Sequence, residues 1–426
     1  MIQRPNITET IAPKDQAAVA DAVCTALRKN SPIYPIGNGT CLEYGWPPLQ
    51  AGIALSLANL NRVIDHAADD MTITVEAGMT IDALNQRLAA HRQWLPVDVP
   101  HSDRATVGGA IATDASGPRR YAYGTMRDYL LGFTAVDGQG RLFSGGGRVV
   151  KNVAGYNLCR MMAGSRGTLG ILTQATLMVR PLPEAAALLA CEVPTLDEAE
   201  KLLAQLVRLP VQPVAVELSA GRSPEGNPLF GPILEGHAAR LCVGFEGAAD
   251  EVDWMLGQLR EGWKTLGVTS IVLMPNLTTD RLWRWLAALP ADILINVLPS
   301  RLVGLIADVL RIAPDGAMQA RAGNGSVAVK LSGEDNSIEP RHCDAIPLIR
   351  GMVAAAEGRM SIGHRSCGNG SHESDEAQLP PDLRIRRAIK ERFDPHNILN
   401  PGQCCGEQHA SSPAFCVSRP VQQNNI

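Results

Sequence analysis

Hydrophobic and polar positions follow two periods along the first ninety-five residues, and these periods separate predicted helices from predicted strands. Residues 14–30 place apolar side chains at the spacing of an amphipathic helix. A second helix is predicted after Gly78, with Thr80 as its N-cap and Asp82 in its first turn. Short apolar or alternating runs, which are typical of strands, lie at 32–36, 54–60, 62–66 and 72–78. The mixture predicts an α+β fold.

Small residues dominate the chain after residue 105. The segment TVGGAIATDASG (106–117) predicts a short helix capped by Thr106. Pro181 and Pro183 mark a boundary further on. The elements predicted between these points are a hairpin over 130–147 with DGQG as its turn, a helix over 151–165 from about Ala154, and a strand over 168–181.

A second α+β unit is predicted over residues 185–330. Its predicted strands are AALLACEV, VAVELSA, RLCVGFEG, SIVLM and ILINVL, and its predicted helices are LDEAEKLLAQLVRL, AADEVDWMLGQLREGWKTL and TTDRLWRWLAAL. Four tryptophans lie on these helices, and at helical spacing they indicate a core or an interface rather than a cofactor site: Trp254, Trp263, Trp283 and Trp285. The C-terminal part predicts a helix near 346–358, a polar loop over 363–378 and a basic helix over 381–393.

Composition excludes several classes of function. Hydrophobic residues make up 45% of the 426 residues, which is enough for large cores, and the net charge of −4 gives no sign of a nucleic-acid partner. The ten cysteines contain no C-x-x-C pair, so the chain itself is not expected to hold an iron–sulfur cluster. His364, Cys367 and His372 lack a fourth ligand for zinc, and we predict no metal site.

Targeting signals are also absent from the sequence. The N-terminal residues include no apolar signal segment, and no apolar run reaches the length of a membrane span. We therefore expect a cytoplasmic protein, which could also lie at the inner membrane through its partners.

The stretch PIYPIGNGT (32–40) ends a predicted strand with a backbone that carries almost no side chains. A dinucleotide-binding G-x-G-x-x-G would need glycine where Leu42 stands, and a Walker A loop would need a following Gly-Lys-Ser/Thr. A phosphate-binding nest and an ordinary tight turn both remain possible. Two more bare stretches, 106–117 and 164–173, favour a long ligand with a diphosphate, and FAD fits better than NAD.

Five motifs stand in a fixed order along the chain: PIGNGT, TVGGAIATDASG, YGTMRDYLLG, KNVAGYNLCRMMAGSRGTLGILTQATLMVRP and FDPHNILNPG. This series resembles the vanillyl-alcohol-oxidase type (PCMH) family of FAD-binding proteins, and within it the FAD-binding E subunits of glycolate oxidase. The resemblance implies a two-subdomain FAD-binding domain over 1–184 and a smaller α+β cap domain over 185–360. A segment over 361–403 would return to the flavin, and a disordered tail would cover 404–426.

The same resemblance implies a set of cofactor contacts. The pyrophosphate loop would consist of Ile36, Gly37, Asn38, Gly39 and Thr40. The flavin and ribityl chain would be lined by Thr106, Val107, Gly108, Gly109, Thr113, Ser116 and Gly117. Residues expected to pack on the cofactor are Gly124, Gly170 and Ile171, and Asn400 would close over the flavin. The first loop has no histidine for a covalent bond, so FAD is expected to be dissociable.

Two arginines and two aspartates near these motifs allow more than one interpretation. Arg119 and Arg120 could attract an anionic substrate, hold a partner's carboxylates, or be solvated. Asp128 is predicted to cap backbone N–H groups or to pair with Arg127. Asp114 stands where many relatives have asparagine, and its charge near a diphosphate requires hydrogen bonds from backbone N–H groups or a side chain that points away.

Two hypotheses for function follow from the resemblance. The first is the FAD-binding subunit of a glycolate (D-2-hydroxy-acid) oxidase complex, with a sister flavoprotein subunit and an iron–sulfur subunit that receives the electrons. His364 is a weak candidate for its catalytic base. The second is a non-catalytic FAD-holding scaffold, because RAGNGSVAV (321–329) lacks the histidine that related dehydrogenases carry after Gly-Asn. A UDP-sugar reductase of the same fold is disfavoured by KNVAGYN and ILNPG.

Overall fold

A computed structural model describes residues 7–42, 50–147, 156–222, 227, 230–268, 270–275, 277–331, 340–362 and 381–403. Separate hydrophobic cores divide these residues into two units. One core joins residues before 180 with Ile398 and Leu399 near the C-terminus, and we call this part the N-terminal unit. The residues between 185 and 362 form their own cores and are called the central unit.

The N-terminal unit contains ten strands and six helices in its described residues. In chain order these are β1 (Ile7–Ile11), α1 (Gln16–Arg28), β2 (Ile33–Ile36), β3 (Gly52–Ser56), β4 (Val63–Ala67), β5 (Thr72–Glu76), α2 (Ile81–Ala89), β6 (Gln93–Trp94), α3 (Val107–Thr113), α4 (Arg120–Tyr123), α5 (Met126–Tyr129), β7 (Leu130–Val136), β8 (Leu142–Gly146), α6 (Leu158–Met162), β9 (Ile171–Met178) and β10 (Arg180–Pro181).

The central unit and the C-terminal helix complete the described elements. They are β11 (Ala185–Val193), α7 (Leu196–Arg208), β12 (Ala215–Gly221), β13 (Ala239–Gly247), α8 (Ala249–Thr265), β14 (Ile271–Pro275), α9 (Leu277–Ala287), β15 (Ile293–Asn296), α10 (Pro299–Ile312), β16 (Ala317–Arg321), β17 (Ser326–Lys330), α11 (Pro340–Ala355), β18 (Arg359–Ile362) and α12 (Pro381–Phe393). Together they confirm the α+β fold class.

Four sheets organise the described residues of the two units. The N-terminal unit has a parallel sheet in the order β1-β3-β2 and an antiparallel sheet in the order β4-β5-β9-β7-β8, and β6 pairs with β10 beside them. The central unit is built on one eight-stranded antiparallel sheet in the order β14-β11-β13-β12-β16-β17-β15-β18. Helices α7, α8, α10 and α11 pack on one of its faces. Helix α9 covers the other face at the β14–β11 end.

Local capping explains why several predicted elements form where the sequence placed them. The Thr80 hydroxyl accepts a hydrogen bond from the N–H of Ala83 at 3.2 Å, which starts α2 as expected. The β7–β8 hairpin turns at DGQG because the Asp137 carboxylate accepts N–H groups of Gln139 and Arg141, both at 2.9 Å. Both predictions are confirmed.

Three elements of the central unit did not follow from the sequence pattern. Helix α10 and the β16–β17 hairpin occupy 299–330, where the apolar positions gave no clear boundary between helix and strand.

Among the tryptophans, Trp263 and Trp283 are buried as predicted, whereas Trp254 on α8 is 51% exposed. The described residues include no helix long and apolar enough to cross a membrane.

A buried arginine joins the two units. The Arg119 side chain donates to Asp98 in the N-terminal unit at 2.5 and 2.8 Å, to Glu246 on β13 at 3.0 Å, and to Asp280 on α9 at 3.2 Å. Burial alone would lower its pKa, but the Asp98 and Glu246 carboxylates raise it above the ordinary arginine value. Arg119 is therefore neither a solvated residue nor a docking point for another chain, whereas its neighbour Arg120 is exposed.

Replacing Arg119 should destabilise the protein strongly. Arg119→Met leaves the buried Asp98 and Glu246 carboxylates without their cation, so we expect a loss of about 3–5 kcal/mol in the free energy of unfolding. Arg120→Met makes the same chemical change at an exposed position and should stay within about 0.5 kcal/mol of the parent. Urea unfolding measures both values, and equal effects would contradict the bridging role of Arg119.

Candidate cofactor site

The loop after β2 presents unpaired backbone donors. Strand β2 ends at Ile36, and Gly39 adopts a φ of 75°, which side chains other than glycine rarely allow. Within the described part of the chain, the N–H groups of Gly37, Asn38, Gly39 and Thr40 donate to no other residue. The Asn38 side chain instead donates to the carbonyl oxygen of Arg104 at 2.8 Å. A run of free N–H groups in this conformation suits an anionic group.

Helix α3 lies directly against this loop. A side chain at Gly37 would overlap Thr106, the N-cap of α3, whose hydroxyl accepts the N–H of Gly109 at 3.2 Å. The N–H groups of Val107 and Gly108 donate to carbonyl oxygens of the N-terminal unit, each at 2.8 Å. The N–H groups at the start of α3 are thus already hydrogen-bonded within the protein. Its glycines allow close packing, and the free donors come from the loop instead.

The segment after α6 forms a third wall. Gly164, Arg166 and Gly167 all have positive φ, and the N–H groups of Gly164 and Arg166 donate to carbonyl oxygens of α3 at 3.0 and 2.8 Å. The buried hydroxyl of Ser165 has no hydrogen-bond partner among the described residues. Ser165 was not predicted as a site residue, although it lies inside the quoted GSRGTLG motif. An unsatisfied hydroxyl here fits a ligand that is held between this segment and α3.

The C-terminal segment meets the same place from another side. The N–H of Ile33 on β2 donates to Ile398 at 2.7 Å, and the N–H of Asn400 donates back to Ile33 at 2.8 Å. The Asn400 side chain donates to the carbonyl oxygen of Arg166 at 2.6 Å. Asn400 therefore links β2 to the segment after α6. Four predicted regions (the 36–40 loop, α3, the 164–170 segment and Asn400) meet in one cradle.

A buried ion pair lies where the C-terminal segment meets the N-terminal unit, and its lysine bonds to both parts. The Lys390 ammonium donates to Asp394 at 2.5 Å and to the carbonyl oxygens of Thr168 and Leu399 at 3.0 and 2.8 Å. The Asp394 carboxylate also accepts the N–H groups of Ile398 and Leu399. Both side chains are buried. The motif FDPHNILNPG (393–402) contains Asp394 but not Lys390, and neither residue was predicted to belong to the site.

Three of the predicted contacts lie outside the cradle. Gly124, with a φ of 82°, packs on Asp128, which caps Thr125 and so confirms the structural interpretation of that aspartate. Gly117 lies against Asp98 and Ala287, where the two units meet. Ser116 is half-buried in the same turn. Their roles toward a cofactor stay predictions.

Two further predicted residues start the strand after the third segment. Gly170 faces the Phe143 ring, and Ile171 is buried in the core. Thr113 belongs to the cradle, since its hydroxyl donates within α3 to the carbonyl oxygen of Gly109 at 2.9 Å. His364 falls outside the described residues.

Asp114 resolves the expected charge conflict by local hydrogen bonding. It ends α3 in a left-handed conformation, and its carboxylate accepts the N–H of Arg127 at 3.0 Å. The Arg127 guanidinium lies 3.4 Å from the same carboxylate. Its negative charge is therefore satisfied by Arg127, as a site for a diphosphate requires.

The comparisons with known proteins agree with this geometry. A family model described as "FAD binding domain" matches residues 8–146, and one described as "FAD linked oxidases, C-terminal domain" matches residues 344–404. These matches identify FAD as the cofactor. The first match contains the 36–40 loop and α3, and the second contains Lys390, Asp394 and Asn400.

Curated relatives cover nearly the whole chain. The chain is 29% identical to glycolate oxidase subunit GlcE of Escherichia coli, over 92% of this chain and 97% of that protein. It is also 29% identical to D-lactate dehydrogenase of Archaeoglobus fulgidus, over 92% of this chain and 90% of that protein. A solved structure of alkyldihydroxyacetonephosphate synthase superposes with a TM-score of 0.69 at 19% identity, covering 92% of this chain and 76% of that chain, which shows a common fold.

Gly39 tests the assignment of the first loop. Gly39→Asp introduces a carboxylate beside the free N–H groups, and we expect the affinity for FAD to fall by at least about tenfold. Gly39→Asn is nearly isosteric, tolerates the left-handed conformation and should keep most of the affinity. FAD titration of the apoprotein, followed by fluorescence, measures both dissociation constants. Unchanged binding by the aspartate variant would refute the pyrophosphate-loop assignment.

Lys390 tests the role of the buried ion pair. Lys390→Met leaves the Asp394 carboxylate buried without its cation, so the C-terminal segment should detach and FAD binding should weaken by tenfold or more. Arg392→Met removes an exposed cation from the same helix and should have little effect. Hydrogen exchange at the Ile33 and Asn400 amides reports the detachment, and unchanged protection at both amides would contradict it.

Proposed function

We propose that the chain is the FAD-binding subunit of a complex that oxidises a small 2-hydroxy acid, as a member of the FAD-linked oxidases with a PCMH-type FAD-binding domain. Glycolate is the first candidate substrate. The observation that carries this proposal is the similarity to GlcE, which extends over almost the full length of both chains. The cradle of free N–H groups around α3 supports the same assignment.

Different residues of the cradle would bind different parts of the cofactor. The N–H groups of Gly37 to Thr40 would bind the pyrophosphate, and the orphaned Ser165 hydroxyl would bind a polar group further along the ligand. Asn400, held by Arg166 and Ile33, would close the site. Bound FAD supplies a two-electron acceptor for the hydride of the substrate α-carbon. The loop offers no histidine for a covalent link, so FAD is proposed to be dissociable.

Partner subunits would take the electrons onward. The sequence has no C-x-x-C pair for a cluster of its own, and we propose an iron–sulfur subunit as the acceptor, next to a sister FAD-binding subunit. The word "subunit" in the name of the GlcE relative supports an assembly of this kind.

A scaffold role is the second candidate. Ser326 opens β17 at the position where the sequence comparison with related dehydrogenases expects a histidine, and it is half-buried. Without that side chain, this subunit could hold FAD while the sister subunit oxidises the substrate. His364 remains the proposed but weak candidate for a base.

A visible spectrum of the purified, FAD-loaded chain distinguishes the two roles. Under anaerobic conditions, glycolate or D-lactate should bleach the visible absorbance of the oxidised flavin if the substrate site lies in this chain. A spectrum that stays oxidised would favour the scaffold role. A chain that binds no FAD after reconstitution would overturn both.

A further inference from the structure

A row of polar side chains crosses the open face of the central sheet. In register across neighbouring strands, Glu217 on β12 pairs with Arg321 on β16, Arg321 with Ser326 on β17, Ser326 with Asn296 on β15, and Asn296 with Arg359 on β18. Directly paired residues point to the same face, with Cβ atoms about 4.5–5.5 Å apart. Because the helices α7, α8, α10 and α11 cover the opposite face, this row faces away from the main core.

The row begins where the central unit meets the N-terminal unit. Gly323, in the turn between β16 and β17, lies so close to the Tyr121 ring that a side chain there would overlap it. Tyr121 belongs to α4, which follows α3 of the cofactor cradle after a short turn and contacts β12. Asn296 and Arg359 at the other end of the row are exposed.

The arginines at this face differ in how their charges are balanced. Arg119 is surrounded by three carboxylates, and Arg240 on β13 is bonded to Glu192. Arg321 is half-buried, yet no ion pair joins it to an acidic side chain in the ranges that the structure describes. A partly desolvated cation without a counter-ion is a natural site for an anion.

Glu217 stands next to Arg321 in register, but no hydrogen bond or ion pair joins the two side chains in the described residues. It is 2% exposed, and one of its oxygens accepts the Gln319 amide at 2.6 Å, whereas the other has no described partner. Burial raises the pKa of Glu217 to about 8, an effect that Arg321 and the Gln319 hydrogen bond only partly offset and that Asp98 increases. Cys242, the register partner of Glu217 on β13, is also buried and neutral because burial raises its pKa.

We propose that Arg321 binds the carboxylate of the acidic substrate, with Ser326 and Asn296 as neighbouring hydrogen-bond donors. This assignment rests on the proposed function, and it places the substrate on the central sheet next to α4. Arg359 and Lys330 add positive charge to the same face. Glu217 sets the pH range of binding, since once ionised it would compete with the substrate for Arg321.

Calorimetric titration of the FAD-loaded chain with oxalate at pH 7 tests the anion site without requiring turnover. Oxalate is a small carboxylate with no α-hydrogen to transfer. Arg321→Met should weaken binding about 10- to 100-fold, the range for a lost charged hydrogen bond. Arg301→Met makes the same change at an exposed position of α10 and should bind oxalate as the parent does. Unchanged binding by Arg321→Met, or no binding by the parent chain, would overturn the proposal.

The pH dependence isolates the contribution of Glu217. Above pH 8 the parent chain should lose oxalate affinity by up to about tenfold per pH unit, because one proton must be taken up for tight binding. Glu217→Gln stays neutral and should bind with no such dependence. A parent profile as flat as that of Glu217→Gln would refute the coupling.

The anion site and the proposed oxidation can fail separately. Oxalate binding that depends on Arg321, in a chain that glycolate and D-lactate do not bleach, would retain the site and remove the catalytic role. If glycolate or D-lactate bleaches Arg321→Met at the same concentration as the parent chain, the oxidation would be retained and the site removed.

Discussion

Lys390 and Asp394 form a buried ion pair within the C-terminal segment, and the Lys390 ammonium also donates to the carbonyl oxygen of Thr168 in the N-terminal unit. Burying a charge without a partner costs several kcal/mol, so the docked segment can bury these two charges only as a pair. Docking brings Asn400 onto Ile33 and Arg166, and it thereby joins β2 to the segment after α6. The cradle for FAD depends on this contact, because residues more than two hundred positions apart form its walls.

Gly37 and Thr106 determine how closely the first loop and α3 approach each other. Gly37 lets the first loop lie on Thr106, and Thr106 satisfies the start of α3. The free N–H groups therefore stay in the loop, where the positive φ of Gly39 turns the backbone. A run of backbone donors that no protein group accepts suits a diphosphate, which is why this arrangement indicates a ligand.

Arg119 and Arg321 differ in whether carboxylates pair with their charge, and this difference distinguishes a structural arginine from one proposed to bind a ligand. Arg119 ties Asp98 to Glu246 and Asp280, so the turn after α3 belongs to both the cofactor domain and the contact between the units. Arg321 stands on the same side of the central sheet, and in the described ranges no carboxylate forms an ion pair with it. A displacement of the central unit would therefore move the proposed substrate site relative to the FAD cradle, which gives the Arg119 cluster a positioning role.

Local patterns were enough to predict the fold class, the capped helices at Thr80 and Thr106, and the DGQG hairpin, because each depends on residues a few positions apart. The glycine-rich loops also indicated a long ligand with a diphosphate. Other features required long-range packing. Arg119 could not be distinguished from Arg120, since burial against β13 and α9 alone makes one of them structural. Lys390 and Asp394 are only four positions apart, but their burial and the Lys390 contact with Thr168 depend on docking. The row from Glu217 to Arg359 depends on strand order, so local sequence could not predict it.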